Sequence, residues 1–410
     1  SAASGGGGAA ASSSSSWGSC LRLVDPSNSC DTLDVIEMPR NEAALCCCSV
    51  RFHTRGGESL LAVGSVSNMA FHPIHLTSSH ISLYRVVNGE RLQLLHKTTI
   101  ENNSSQTKSV TALTATADDN NADSNSHSTD NVGGPILALA HFQGRLLVGI
   151  GRTLRMYEMG KRQLLRKCEL KGLPTYIKTL QTAGDRAFLG DMMRSLHIVR
   201  YEASANRLIL IANDPLPRPI VCQELLDFNT VAVGDKFGNI SVLRLPRGAA
   251  TETVDVTGQR ALWDTSSTTK TGLSNSNVAK LETLCHYYIG EVVTSMTRSS
   301  LVAGVAESLI YVTATGRIGA LVPFQSRDDV EFYSQLEEYL RVEAPRITGR
   351  DPQSYRSYYS PVMHVIDGDL CDAYINGGLS AKKQAKIAER LDRSVGEIMK
   401  KLEDTRNSLL

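Results

Sequence analysis

The sequence predicts a mainly β chain: a WD-repeat-like β-propeller, of which about five blades are visible, followed by a small α-helical C-terminal domain. Three observations predict it. Short apolar runs that end in glycine recur along the chain, and each is followed by a second strand-like run. Their recurrence is near the length of one four-stranded blade. From about residue 326 the apolar residues stop alternating and fall at helical spacing.

The glycine-ending runs are SLLAVGSV (59–66), RLLVGIG (145–151), DRAFLGD (185–191), TVAVGDKFGN (230–239) and SLVAGV (300–305). Their partners are ISLYRVV (81–87), TLRMYEM (153–159), SLHIVRY (195–201), ISVLRLP (240–246) and SLIYVTA (308–314), with apolar side chains on alternate residues, as a strand buried on one face requires. The marker glycines Gly64, Gly149, Gly190, Gly234 and Gly304 lie 85, 41, 44 and 70 residues apart. Each long interval holds one low-complexity tract, at about 101–134 and 248–279, and without these the intervals fall to about 51 and 38 residues, near the ~40–45 of a blade. A plain β-sandwich predicts neither the even spacing nor the repeated hairpin. The glycines are read as turn residues that let the chain reverse with positive φ. A closed ring of this class takes about seven blades, so strands from elsewhere are expected to complete it.

The rest of the chain divides accordingly. Residues 1–16, SAASGGGGAAASSSSS, form a flexible low-complexity segment that has too little apolar surface to repay its ordering. Residues 17–325 form the propeller, and the tracts near 101–134 and 248–279 are disordered insertions between its strands. Residues 326–410 form the helical domain. Within it, DDVEFYSQLEEYLRVE (328–343) places Phe332, Leu336 and Leu340 on one face, with Asp328 as N-cap and Glu331 three residues on. A loop with Pro345, Gly349 and Pro352 follows. The stretch 379–410 then splits into two helices at Arg393–Ser394; Ser394 and Glu397 cap the last one, and Ile387, Leu391, Ile398 and Leu402 supply the apolar stripes.

Composition narrows the function. Lys and Arg (43) balance Asp and Glu (42), a formal charge of +1, so the chain has no global field to draw in a phosphate backbone and little direct nucleic-acid contact is expected. No run is apolar enough to span a membrane, and the first 20 residues lack a signal-peptide pattern, so the chain reads as cytosolic or nuclear with no membrane partner. The nine cysteines contain no C-x-x-C pair and read as reduced small hydrophobes; strand alternation sends Cys46 and Cys48 to one face and Cys47 to the other.

Catalytic and cofactor motifs are missing from the text. There is no G-x-S-x-G elbow and no phosphate-binding loop, and Gly149-Ile150-Gly151 is followed by a strand where a dinucleotide site needs a helix. Asp367, Asp369 and Asp372 are spaced for a metal, but Cys371 and Asp372 stand where a calcium loop needs an oxygen ligand and a glycine, so helix capping is preferred. His72 and His75 lack a third ligand. Asp235-Lys236-Phe237-Gly238 has the look of a kinase triplet without the other kinase motifs, and reads as a tight turn. The expectation is a non-enzyme with no cofactor and no metal.

Loops on propeller faces are where recognition residues are displayed, so Asp191, Arg194, Asp235, Lys236, Phe237 and Arg317, at or beside turns, are the candidate partner-binding residues. Phe237 has two readings of equal weight: an exposed aromatic anchor of an interface, or a ring packed between adjacent blades.

The C-terminal text carries a resemblance. LIYVTATGRIGALVPF (309–324), FYSQLEEYLR (332–341), GRDPQSYRSYY (349–359), VIDGDLCDAY (365–374) and ERLDRSVGEIMKKLEDTR (389–406) resemble the end of the propeller subunits of splicing factor 3b, as upstream do VAVGDKFGNISVLRLP (231–246), NEAALCCCSVRF (41–52), Trp17-Gly18-Ser19 and LRLVDP (21–26). The likeness covers nearly the whole chain apart from the head and the low-complexity tracts. It implies the last propeller and helical domain of a longer multi-propeller protein without catalytic activity. It also implies nuclear partners: the helical-repeat large subunit of splicing factor 3b, a very small helical subunit of the same complex and other splicing proteins of the U2 particle that holds the branch site. The large subunits of the UV-damaged-DNA-binding complex and of the cleavage and polyadenylation specificity factor share the Asp-Gly-Asp-Leu motif at 367–370, so a cullin-ligase adaptor, a DNA-damage recognition factor or a polyadenylation scaffold is the alternative.

Overall fold

The computed structural model describes residues 18–27, 29–71, 74–101, 133–247, 278–300, 307–344 and 349–407. The segment 1–16 and nearly all of the tracts at 101–134 and 248–279 lie outside these residues, as do His72 and the run 301–306 with Gly304. The chain divides into two compact units that meet in sequence at Lys167 and Cys168.

The described residues are mainly β, arranged as a series of open antiparallel sheets with helices at the C-terminal end. A two-stranded hairpin, Cys20–Asp25 with Asp31–Glu37, comes first. The first four-stranded sheet is Glu42–Arg51, Ser59–Ser67, Ser78–Val87 and Arg91–Glu101. The second is Ile136–Phe142, Arg145–Ile150, Thr153–Met159 and Leu164–Leu170. The third is Ile177–Ala183, Arg186–Asp191, Leu196–Glu202 and Arg207–Asn213, with Ala279–Lys280 added in parallel at its edge. The fourth is Ile220–Leu225, Thr230–Asp235, Asn239–Arg244 and Glu282–Tyr288. The fifth has three strands, Val293–Ser299, Ser308–Thr313 and Ile318–Leu321. Within each of these five sheets the antiparallel strands lie side by side in chain order, whereas Ala279–Lys280, which precedes the last strand of the fourth sheet in sequence, pairs in parallel with the edge of the third.

Four of the five hairpins expected from the sequence are the second and third strands of their sheets. The fifth is shifted: SLIYVT is itself a second strand, paired on one side with Val293–Ser299 and on the other with Ile318–Leu321. The place of the marker glycine opposite the first strand is taken there by Val312.

The glycines serve a purpose other than the expected one. None of Gly64, Gly149, Gly190 and Gly234 has positive φ; all four sit inside strands. A Cβ on Gly64 would lie 2.6 Å from Ile136 Cγ2, one on Gly190 2.8 Å from Ile220 Cγ2, and one on Gly234 3.2 Å from Val293 Cβ. Ile136, Ile220 and Val293 each begin the first strand of the next sheet, so glycine is what lets that strand approach. Opposite the same position the first strand of each of the five larger sheets carries one extra residue, a β-bulge at Leu45, Leu137, Lys178, Val221 and Thr294. The turns themselves are made elsewhere, as at Gly144, Gly184 and Gly316.

The apolar cores lie between successive sheets. Within the first unit Phe52, Leu60, Ile81, Ile136, Leu146 and Val148 belong to one cluster shared by the first and second sheets. Within the second unit Phe188, Ile198, Ile220, Val231 and Val233 join the third and fourth sheets, and Ala232, Ile240, Val293, Leu309 and Tyr311 join the fourth and fifth. Cys46 and Cys48 pack against the first cluster while Cys47 is exposed, as alternation requires.

Helix α1 spans Arg327–Glu343, α2 Gly368–Asp372, α3 Ala381–Arg390 and α4 Val395–Asn407. The cap of α1 is Ser326, whose hydroxyl accepts from Asp329 N, and not Asp328; the helix begins earlier, and Asp328 and Asp329 instead place negative charge at the positive end of its dipole. Ser394 and Glu397 form the expected reciprocal cap of α4. Phe332, Leu336, Leu340, Ile387, Ile398 and Leu402 close a core between the helices.

Candidate functional site

Two turns of the second unit hold five of the six candidate residues, and both are built around a buried aspartate at the end of a second strand. Asp191 accepts from Thr175 N at 2.9 Å and from Met193 N and Arg194 N at 2.8 Å each. Asp235 accepts from Phe237 N at 2.8 Å, Asn239 N at 3.0 Å and Asn239 Nδ2 at 2.9 Å. A carboxylate that satisfies several backbone donors fixes the turn that follows it. Asp191 and Asp235 therefore shape the surface from beneath it, and Arg194, Lys236 and Phe237 are the exposed members.

The two turns are placed differently. The Arg194 carbonyl accepts from Arg218 N, and the buried Arg218 guanidinium binds Asp214 and reaches Thr283 Oγ1 at 2.9 Å. At the second turn the chain comes close to Glu291: Gly238 has φ of 89°, and a Cβ there would lie 2.8 Å from Glu291 O. Only glycine combines that conformation with that approach.

Residues 356–364, between the short turn at Pro352–Tyr355 and α2, run along the last strand of the fourth sheet. Tyr288 N donates to Arg356 O at 3.1 Å, and His286 and Met363 exchange backbone hydrogen bonds at 2.9 and 3.0 Å. This brings Tyr358 and Tyr359 onto the Asp235 turn. The Tyr359 hydroxyl donates to Asp235 Oδ2, and burial together with that bond holds its proton above the ordinary tyrosine range. Its ring lies 5.6 Å from the buried His286, whose Nδ1 meets Ser241 Oγ at 2.9 Å and whose protonation is lowered by burial, with Arg218 adding to it.

Phe237 is 41% exposed, with its ring centroid 5.9 Å from Tyr358 and 6.3 Å from Tyr359. Tyr358 is 56% exposed and stacks on Tyr288 at 5.5 Å and 23°. Lys236 Nζ lies 5.1 Å from the centre of the Phe237 ring. Phe237 thus lies against the tyrosine segment with part of its ring open to solvent.

Arg317 stands apart, in the turn between the last two strands. Its Nη2 meets Asp369 Oδ2 at 3.1 Å. Arg356 binds the same carboxylate at 2.7 Å and Asp367 Oδ2 at 2.7 Å, over the face of Tyr287. Asp367 also caps α2 by accepting from Asp369 N and Leu370 N. Of the aspartates considered for a metal, Asp367 and Asp369 are therefore engaged in a cap and three ion pairs with two arginines. The sequence signal for this region was present in three tyrosines within five residues, 355–359, but nothing in the text said which surface they would meet.

Residues 18–119 and 106–376 match the protein family described as the CPSF A subunit region, and the chain belongs to that family. Within the curated proteins it is similar to spliceosome-associated protein 130 A of Arabidopsis thaliana, at 41% identity over 397 residues. It is also similar to splicing factor 3B subunit 3 of Danio rerio, at 40% over 392 residues, and to pre-mRNA-splicing factor RSE1 of Mycosarcoma maydis, at 39% over 394. These alignments cover 95–96% of the chain and 29% of each of the three relatives, so the chain spans less than a third of their length.

Proposed function

We propose that this chain is the C-terminal portion of a non-catalytic protein-interaction scaffold of the splicing factor 3b complex, acting in the nucleus in pre-mRNA splicing. The observation that carries this is the 36–41% identity, over nearly all of the chain, to proteins named as splicing factors. In this reading residues 17–325 form a β-propeller and residues 326–410 a helical domain. Five sheets with the same strand order, the same bulge position and, in the first four, the same glycine support blade equivalence. The near-zero net charge suits a surface that meets proteins more than phosphates. The partners proposed are the helical-repeat large subunit, the very small helical subunit and other proteins of the U2 particle. Arg194, Lys236 and Phe237 are proposed as contact residues, with Asp191 and Asp235 holding their turns and Arg317 at a second contact point.

Affinity purification of the full-length protein from nuclear extract, with mass spectrometry and detection of small nuclear RNA, tests this. The expected result is stoichiometric recovery of the helical-repeat splicing subunit with U2 RNA. The family description, a CPSF subunit region, favours one second reading, a polyadenylation scaffold, and recovery of polyadenylation factors in place of the splicing subunits would establish it.

A further inference from the structure

We propose that the surface formed by Phe237, Tyr288, Tyr358 and Tyr359 binds an extended proline-rich segment of a partner protein, with an acidic residue of that segment against Lys236. The proposal rests on the reading of the Asp235 turn as a contact surface, and it adds the chemistry of what is bound. The four rings are contiguous, with centroid separations of 5.5, 5.7, 5.9 and 6.3 Å, and three of them are between 41% and 56% exposed. Two features hold them ready: the Tyr359 hydroxyl is tied to Asp235, and the Phe237 backbone is fixed by the same carboxylate. Rings fixed in this way lose little freedom on binding.

The polar complement identifies the occupant. Among the described residues, no group accepts from the hydroxyls of Tyr288 and Tyr358, so the patch offers donors. Its nearest carboxylate, Asp235, is buried and engaged by four donors, so the patch offers no free acceptor from that group. A polyproline II segment has the matching pattern: its carbonyls lack internal hydrogen bonds, its prolines have no N–H to satisfy, and its rings lie flat on aromatic faces. A single-stranded nucleic acid would also stack here, but it needs a row of cations. Among the described residues, the cation placed over these rings is Lys236, while Arg356 is paired with Asp367 and Asp369 and Arg218 is buried against Asp214.

The test is fluorescence polarisation of labelled decaproline, decaproline with a terminal Asp-Asp pair, a Gly/Ser decapeptide and decauridine against the full-length protein and its Tyr358→Ala and Lys236→Ala variants. Saturable binding of decaproline, weakened about tenfold or more by Tyr358→Ala at unchanged melting temperature, is expected. The acidic peptide is expected to bind more tightly than the neutral one, and Lys236→Ala to remove that difference. Equal binding of the Gly/Ser peptide, no decaproline binding, or indifference to Tyr358→Ala would overturn the proposal, and tighter binding of decauridine would replace it with an RNA surface. Copurification of splicing proteins is read separately, so failure there leaves this result standing, and the reverse.

Discussion

At the scale of single residues, the Asp235 turn separates two roles that its sequence runs together. Asp235 is buried and serves four donors, whereas Phe237 two residues on is exposed over part of its ring. Asp235→Ala leaves those donors without their acceptor and is expected to lower stability by about 2–4 kcal/mol, read as a shift of the denaturant midpoint. Phe237→Ala removes ring contacts worth about 1 kcal/mol or less, so partner recovery should fall while melting temperature is nearly kept. A large loss of melting temperature in Phe237→Ala would show that the ring's main work is packing. The position of this turn was legible because Asp-x-x-Gly after an apolar run is turn chemistry. Its aromatic neighbours were not, because Tyr358 and Tyr359 lie more than a hundred residues along the chain and no local pattern encodes that contact.

At the scale of elements, the repeated unit is a bulged first strand set against a glycine of the second. In the fourth sheet, Gly234→Ala would bring a Cβ to 2.8 Å from Cys222 Sγ and 3.2 Å from Val293 Cβ. Overpacking between two sheets is expected to cost about 1–3 kcal/mol, and Gly190→Ala, aimed at Thr179 and Ile220, a similar amount. Gly368→Ala, at the start of α2 with open space around it, should stay within about 0.5 kcal/mol of the wild type. Chemical denaturation of the three variants checks the contrast; three equal effects would show that the glycines matter only for backbone entropy. Second and third strands were readable because tight turns join them. First strands were harder, because one extra residue at Leu45, Leu137, Lys178, Val221 or Thr294 breaks the alternation that marks a strand. The cap of α1 was misplaced for a related reason: Ser326 and Asp328 are both capping residue types, and only the hydrogen bond to Asp329 N decides between them.

At the scale of the whole molecule, acid should unfold this chain through its buried histidines. Burial brings the His197 pKa down from an ordinary value of 6.5 to about 4, and lowers those of His80 and His286. Between pH 6.5 and about 4 the unfolded chain binds the His197 proton and the folded chain does not, so stability is intact above this window and is lost as pH falls through it. The loss from His197 is on the order of 3 kcal/mol. His197→Gln should flatten that limb of a melting-temperature profile taken between pH 7 and 4, and an unchanged limb would assign the acid sensitivity to other groups.

Strand runs, the helical end, the capping box of α4 and the family resemblance could be read from the amino-acid order, since each rests on short-range spacing or on residue identity. Why the marker glycines are glycine, where the fifth sheet begins, and which rings meet at the Asp235 turn emerge from the folded chain. The physical reason is common to all three. Each depends on how closely two segments distant in sequence approach, and that distance is set by packing between sheets, which no periodicity within one segment records.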